Sequence, residues 1–123
     1  IPMILGITLK AAGTAPILLA MDMRTTASRL EALGNETRLA IYRILVRAGH
    51  DGLPVGELQR RTGTARSTLS HHLHRLIAVG LVTQERAATT LYCHASYTAM
   101  DETLGFLTRE CCADAATRDC DAA

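Results

Sequence analysis

The stretch "STLSHHLHRLIAVGLV", residues 67–82, presents two unlike surfaces when wound as one helix. At about 100° per residue, Leu69, Leu73, Leu76 and Ile77 form one apolar stripe. Ser67, Ser70, His71 and His74 lie on roughly the opposite side, with Arg66 and Arg75 at its margins. The stripe is built to be buried. The other side offers short hydroxyls, imidazoles and guanidinium groups, which suit the major groove of a duplex. Small hydroxyl residues allow close approach, Arg pairs bidentately with guanine edges, and His contacts bases or phosphates.

The elements around this helix supply a setting for it. Upstream, "VGELQRRTG" reads as a short helix closed by Gly63, and "DGLP" as a turn. Asn35 is placed to cap "ETRLAIYRILVRAG", with Leu39, Tyr42, Leu45 and Val46 on one face. "TTASRLEAL" is a short helix stopped by Gly34. Downstream the period changes: "LVTQER" and "TLYCHA" are β-rich runs flanking "AAT", which predicts a hairpin. Helix returns from about Tyr97 to Cys112. The order is mainly α with a β-hairpin wing, that of a winged helix-turn-helix.

Charge follows the same division. Between Leu58 and Ala87 five arginines face the single acid Glu85, whereas from Asp101 to Ala123 six acids face Arg109 and Arg118. A basic middle beside an acidic end implies an anionic partner at one surface. Arg60, Arg61 and Arg86 are candidates to hold phosphates. His71 and His74 could chelate a metal, but no Cys or carboxylate joins them on that face. His72 falls at the core margin as a packed, hydrogen-bonded residue.

At 123 residues the chain is expected to form one folded unit. Residues 23–112 are expected to carry the winged helix-turn-helix domain, and residues 113–123 a thiol-bearing tail. Residues 1–22, interrupted by Gly13 and Pro16, are expected to be either an apolar extension ahead of a native start at Met21 or Met23 or an arm that packs on a partner subunit. That segment lacks the basic region of a secretory signal and an unbroken span for a membrane helix. Adjacent cysteines do not suit a disulfide framework, so Cys93, Cys111, Cys112 and Cys120 are expected to be reduced, cytoplasmic thiols.

"LEALGNETRLAIYRILV" together with "VGELQRRTGTARSTLSHHLHRLIAVGLV" resembles the ArsR/SmtB-type winged-helix repressors, over about residues 28–112. The resemblance implies a homodimer built on the first and last helices. Such a dimer binds a palindromic operator in double-stranded DNA and releases it when an inducer, often a metal or metalloid, binds. It places Arg66, Ser67, Thr68, Ser70 and His71 against DNA, and His74, Arg75 and Arg86 join them from the pattern above. A Ser often opens the recognition helix in this family where Ala65 stands here, so Thr64 is the expected cap. The wing, "ERAATT", lacks the usual Gly and basic residues beyond Arg86.

The family's sensor sites differ in position. A Cys-x-Cys pair before the recognition helix is missing from "VGELQ", and the last helix has Asp101 and Glu102 but no His for a zinc site. The sequence "ECC" plus Cys120 is similar to arsenic-responsive relatives, which makes Cys111, Cys112 and Cys120 the ligands for trivalent arsenic as inducer, with no organic cofactor. Soft thiolates select soft ions. Met100, Leu104, Leu107 and Cys111 share a helical stripe expected to form the dimer seam, with Cys112 about 100° away. The two sulfurs converge only if the helix frays. Cys93 could join only across the dimer, and a buried structural role is its alternative.

Other signals fit the same thiols: an oxidant or persulfide that forms a disulfide, or cadmium or lead. An enzyme is the remaining class. Cys112 and Arg118 have the spacing of a thiol phosphatase or arsenate reductase loop, but a helix precedes them and Asp114 would repel an oxyanion. The expectation is a regulator, not an enzyme.

Overall fold

The computed structural model describes residues 11–115, with side chains from Asp22 onward. Five helices and three strands follow in the order α1 (Ala11–Leu33), α2 (Glu36–Ala48), β1 (Leu53–Pro54), α3 (Val55–Thr62), α4 (Arg66–Ala78), β2 (Val82–Ala87), β3 (Thr90–Ala95) and α5 (Tyr97–Thr108).

Local chemistry sets most of these boundaries. Asn35 opens α2, its side-chain oxygen accepting from the Arg38 N–H at 3.0 Å. Ser96 does the same for α5 with the Ala99 N–H at 3.2 Å. Gly63 closes α3 in the left-handed region at φ 68°. α1 is longer than "TTASRLEAL": it starts at Ala11 and runs through Gly13 and Pro16. Pro16 removes one helical bond near the beginning, and the long run after it carries the helix.

"DGLP" is more than a turn. Leu53 and Pro54 add a short third strand to the hairpin in the order β1-β3-β2, all antiparallel, with Leu53 opposite Cys93 and Pro54 opposite Tyr92. The approach is close. Gly52 has φ 69°, and a Cβ there would lie 2.4 Å from the Cys93 carbonyl oxygen, so only glycine fits. Pro54 donates no N–H, which limits the strand's length. The main hairpin pairs Val82 with Ala95 through to Ala87 with Thr90.

The core lies between α2, α3, α4 and the sheet. Ile41, Leu45, Leu58, Leu69, Leu73, Leu76, Leu81, Val82 and Cys93 are fully buried within it. On α2 the buried face is Arg38, Ile41, Tyr42 and Leu45, whereas Leu39, expected inside, is 43% exposed. Arg38 decides that rotation. It is 8% exposed, and its Nε donates to the Ala32 carbonyl at 2.6 Å, closing the last turn of α1 with a buried charge-assisted bond.

A second arginine joins three helices. Arg29 of α1 donates from Nε to the Val79 carbonyl at the end of α4 (2.9 Å) and from Nη1 to Glu102 of α5 (3.1 Å). At the other end of α5, the Tyr97 hydroxyl donates to the Val46 carbonyl at 2.8 Å. Among the described residues no helix is long and apolar enough to cross a membrane.

Candidate nucleic-acid interface and thiol cluster

α4 buries Leu69, Leu73 and Leu76, which turns its other side outward. Arg66, Ser67, Thr68, His71 and His74 are exposed, and Ser70 is half-buried. The helix begins after Ala65, and no side chain caps it; Thr64 does not take that role. Instead the Thr64 N–H is turned toward the Thr62 hydroxyl at 3.3 Å, which belongs to the end of α3. Ala65 has no cap oxygen to offer, so the first N–H groups of α4 stay without side-chain partners.

The arginines on this side fall into two classes. Among the described residues, Arg66 and the exposed wing residue Arg86 have no ion-pair partner. Arg75, placed by the sequence at the margin of the DNA face, instead holds both carboxylate oxygens of Glu31 at 3.0 Å. This is a brace between α4 and α1, set by the packing of two helices distant in sequence. Arg60 and Arg61 both close on Glu57 within their own helix.

His72 behaves as a margin residue. Its Nδ1 lies 3.4 Å from Arg38 Nη1, and its pKa is lowered, first by burial and then by the Arg38 charge, so the neutral imidazole that can accept is favoured. His71 and His74 gain no third ligand, since among the described residues no three His, Cys, Asp or Glu gather to hold an ion. At the wing tip the connection between the strands is two residues, Ala88 and Thr89, and Ala88 sits at φ 58°. Two-residue hairpin loops need such mirror-image turns, which normally call for Gly or Asn.

The thiols lie at the far end of α5. The helix stops at Thr108, four residues before the predicted end at Cys112. Thr108 turns its hydroxyl back to the Leu104 carbonyl at 3.1 Å, and Glu110 would place a negative charge at the negative end of the helix. Turns follow, with Glu110 at φ 67° and Cys112 at φ 62°. This departure from helix brings the Cys111 and Cys112 sulfurs to 3.8 Å, with Cys111 exposed and Cys112 half-buried. Two thiolate bonds of about 2.3 Å to one soft ion span at most about 4.6 Å, so one ion can reach both sulfurs. Cys112 is disulfide-bonded here, and ion binding at this position requires its reduction. Cys120 lies outside the described residues.

Cys93 belongs elsewhere. It is fully buried in its own subunit's core, accepts from Gln84 Nε2 at 3.5 Å, and has its pKa raised by burial. Such a thiol packs as a small apolar residue, not as a ligand across an interface.

The outer faces of α1 and α5 expose Met23 (56%), Leu30, Leu104 (55%) and Leu107 (56%). Beside them a cleft of about 570 Å³ runs between the two helices, lined by Asp22, Arg29, Glu102, Phe106 and Arg109 among others. Arg109 stacks over Phe106 at 4.8 Å and faces Asp22 at 3.8 Å. The bracing arginines 29 and 38 have no sequence signature, because their partners are backbone carbonyls chosen by tertiary packing.

A family model described as a helix-turn-helix domain matches residues 33–85. The chain is 37% identical over 86 residues to the nodulation protein NolR of Rhizobium meliloti, covering 70% of this chain and 68% of that protein. It is 36% identical over 70 residues to a putative arsenical resistance operon repressor, ArsR2, of Halobacterium salinarum, covering 57% of this chain and 58% of that one. Among solved structures, an ArsR-like transcriptional regulator from Rhodococcus sp. superposes with a TM-score of 0.63 at 28% identity, covering 71% of this chain and 79% of that chain.

Proposed function

Since the chain belongs to the ArsR family of winged helix-turn-helix transcriptional regulators, we propose that it is a homodimeric repressor released from operator DNA by trivalent arsenicals. The observation that carries the inducer is the pair of sulfurs 3.8 Å apart, just beyond the end of α5. Arsenous acid exchanges its hydroxides for thiols, each exchange releasing one water. Cys111 and Cys112 supply two As–S bonds and Cys120 a third, and soft thiolates prefer such a centre to hard cations. Two thiols suffice for a monomethylated arsenical.

The operator is held by Arg66, Ser67, Thr68, Ser70, His71 and His74 of α4, with Arg86 of the wing on phosphate. Two copies join through the exposed apolar faces of α1 and α5, which sets the spacing of two recognition helices on a palindrome. Drawing Cys120 onto the ion held by Cys111 and Cys112 would pull on the segment just after α5, where Phe106 and Arg109 line a cleft with Asp22 and Arg29. Arg29 also bonds the Val79 carbonyl at the end of α4, so the cleft beside the end of α5 adjoins a residue that holds the recognition helix. An allosteric coupling of about 1–3 kcal/mol would weaken DNA binding about 5- to 150-fold.

The test uses protein reduced beforehand and a duplex it selects from a random pool, followed by fluorescence anisotropy. Titration with arsenite, methylarsenite, antimonite, cadmium and zinc should release DNA with the trivalent arsenicals first. Cys111→Ser and Cys112→Ser should bind the duplex with unchanged affinity and fail to release it. Release of the Cys111→Ser protein at the wild-type arsenite concentration would overturn the site.

A second reading draws on the oxidised state of Cys112. There the signal is an oxidant, and the disulfide itself lowers DNA affinity. Peroxide releasing DNA in the absence of any arsenical, while arsenite leaves the reduced complex intact, would favour it.

A further inference from the structure

α3 is the first helix of the helix-turn-helix, the one that crosses the sugar-phosphate backbone when α4 enters the groove. Its basic residues are not free. Arg60 donates from Nε to Glu57 Oε1 at 3.1 Å and from Nη2 to Oε2, and Arg61 donates from Nε to the same Oε2 at 2.8 Å. One carboxylate thus occupies the fork of one guanidinium and a donor of a second. The spacing explains it: residues three and four further along a helix lie beside Glu57.

The placement of the two guanidinium groups matters. Arg60 lines a concavity of about 580 Å³ with Gly56, Gln59, Gly63, Thr64 and Ala65, which leads directly to the start of α4. Arg61 lines a separate hollow of about 360 Å³ with Glu36, Thr37, Ile44 and Thr64 among others. Glu57 pairs with both from one turn earlier on the same helix. Bonds from Arg60 and then Arg61 hold its carboxyl down to about 2, so it stays charged at every pH at which the protein would work.

We propose that Glu57 is a specificity-setting residue that withholds Arg60 and Arg61 from phosphates on loosely docked duplexes and yields them only to a closely seated operator. Phosphate neutralisation carries no sequence information and supplies essentially all non-specific affinity. A free Arg60 and Arg61 would strengthen binding to every duplex alike. An internal carboxylate sets a threshold: a phosphate must approach closely and in the fork geometry to displace it. The operator-docked complex meets that condition, and a sliding encounter does not. The inference rests on the DNA-binding reading and on no property of the thiols.

The experiment measures the affinity of wild type, Glu57→Gln and Glu57→Gln/Arg60→Ala/Arg61→Ala for the selected duplex and a scrambled one, over a series of salt concentrations. Glu57→Gln should bind scrambled DNA at least about threefold more tightly, with a log–log salt slope steeper by about 1–2, since each freed phosphate contact adds about 0.9. Its affinity for the selected duplex should rise less, so that the ratio of the two falls. The triple variant should lose the gain. Circular dichroism establishes that each variant is folded. Unchanged slope and affinity in folded Glu57→Gln would overturn the inference, as would a gain that survives in the triple variant. Wild-type protein that bound no duplex even at low salt would instead overturn the DNA-binding reading, and the inference with it.

Discussion

Arg38 and His72 form a pair whose roles are set by depth. The guanidinium is buried but satisfied by the Ala32 carbonyl, and it presses its charge on the imidazole beside it. Burial and that charge both lower the His72 pKa below its ordinary value of 6.5. The unfolded chain therefore takes up this proton before the folded chain does. Stability contributed by His72 is complete above about pH 6.5 and is lost as pH falls below it. His72→Gln keeps an acceptor for Arg38 and removes the titration. Thermal unfolding followed between about pH 7 and 5 should then show a shallower fall in Tm than wild type. Little of this was legible in the sequence. His72 could be placed at the core margin from the period of α4, but Arg38 could not, because a charged residue in a buried stripe reads as a break in that stripe. The apolar pattern of α2 therefore points to a face rotated by one position, with Leu39 in place of Ile41.

At the scale of elements, the reading of α4 from its leucines holds because the 3.6-residue period survives packing unaltered. The hairpin was likewise visible in its β-rich runs, and Gly63 and Asn35 marked boundaries that the structure uses. Features set by contact between distant segments were not visible. The β1 strand depends on β3 passing beside Gly52, and the Arg75 brace depends on α1 lying against α4. The wing tip shows a residue at odds with its turn. Ala88 has φ 58°, a region that costs an L-residue about 1 kcal/mol, which glycine does not pay. Ala88→Gly should raise the free energy of unfolding in urea by up to about 1 kcal/mol, offset in part by the entropy that glycine gains when unfolded. DNA affinity should be unaffected, because Arg86 keeps its place on β2.

For the whole molecule, the decisive surface is the one that the described residues leave uncovered. Leu104 and Leu107 on α5 are more than half exposed, with Met23 and Leu30 exposed on α1. Apolar side chains at such spacing along two adjacent helices mark an association face. Replacing Leu104 and Leu107 together by Asp should shift the mass measured by light scattering from dimer to monomer. Operator affinity should fall at least about tenfold, because two half-sites no longer bind as one unit. Leu104 and Leu107 were legible from the period, whereas Met100 of the same stripe packs partly against the core and Cys111 lies beyond the end of the helix. Helix propensity alone continues α5 to Cys112, and only the turn at Glu110 shows where it stops.

That early stop has a consequence for how such a rod can evolve. One further turn of helix would stiffen it and carry Cys112 about 100° around the axis from its neighbour, out of joint reach of a single ion. Rigidity and the proposed chelation would compete for the same half-dozen residues. If the sulfurs bind the inducer as proposed, a stabilising substitution there, harmless by every measure of folding, would leave a tighter molecule that no longer responds to arsenicals.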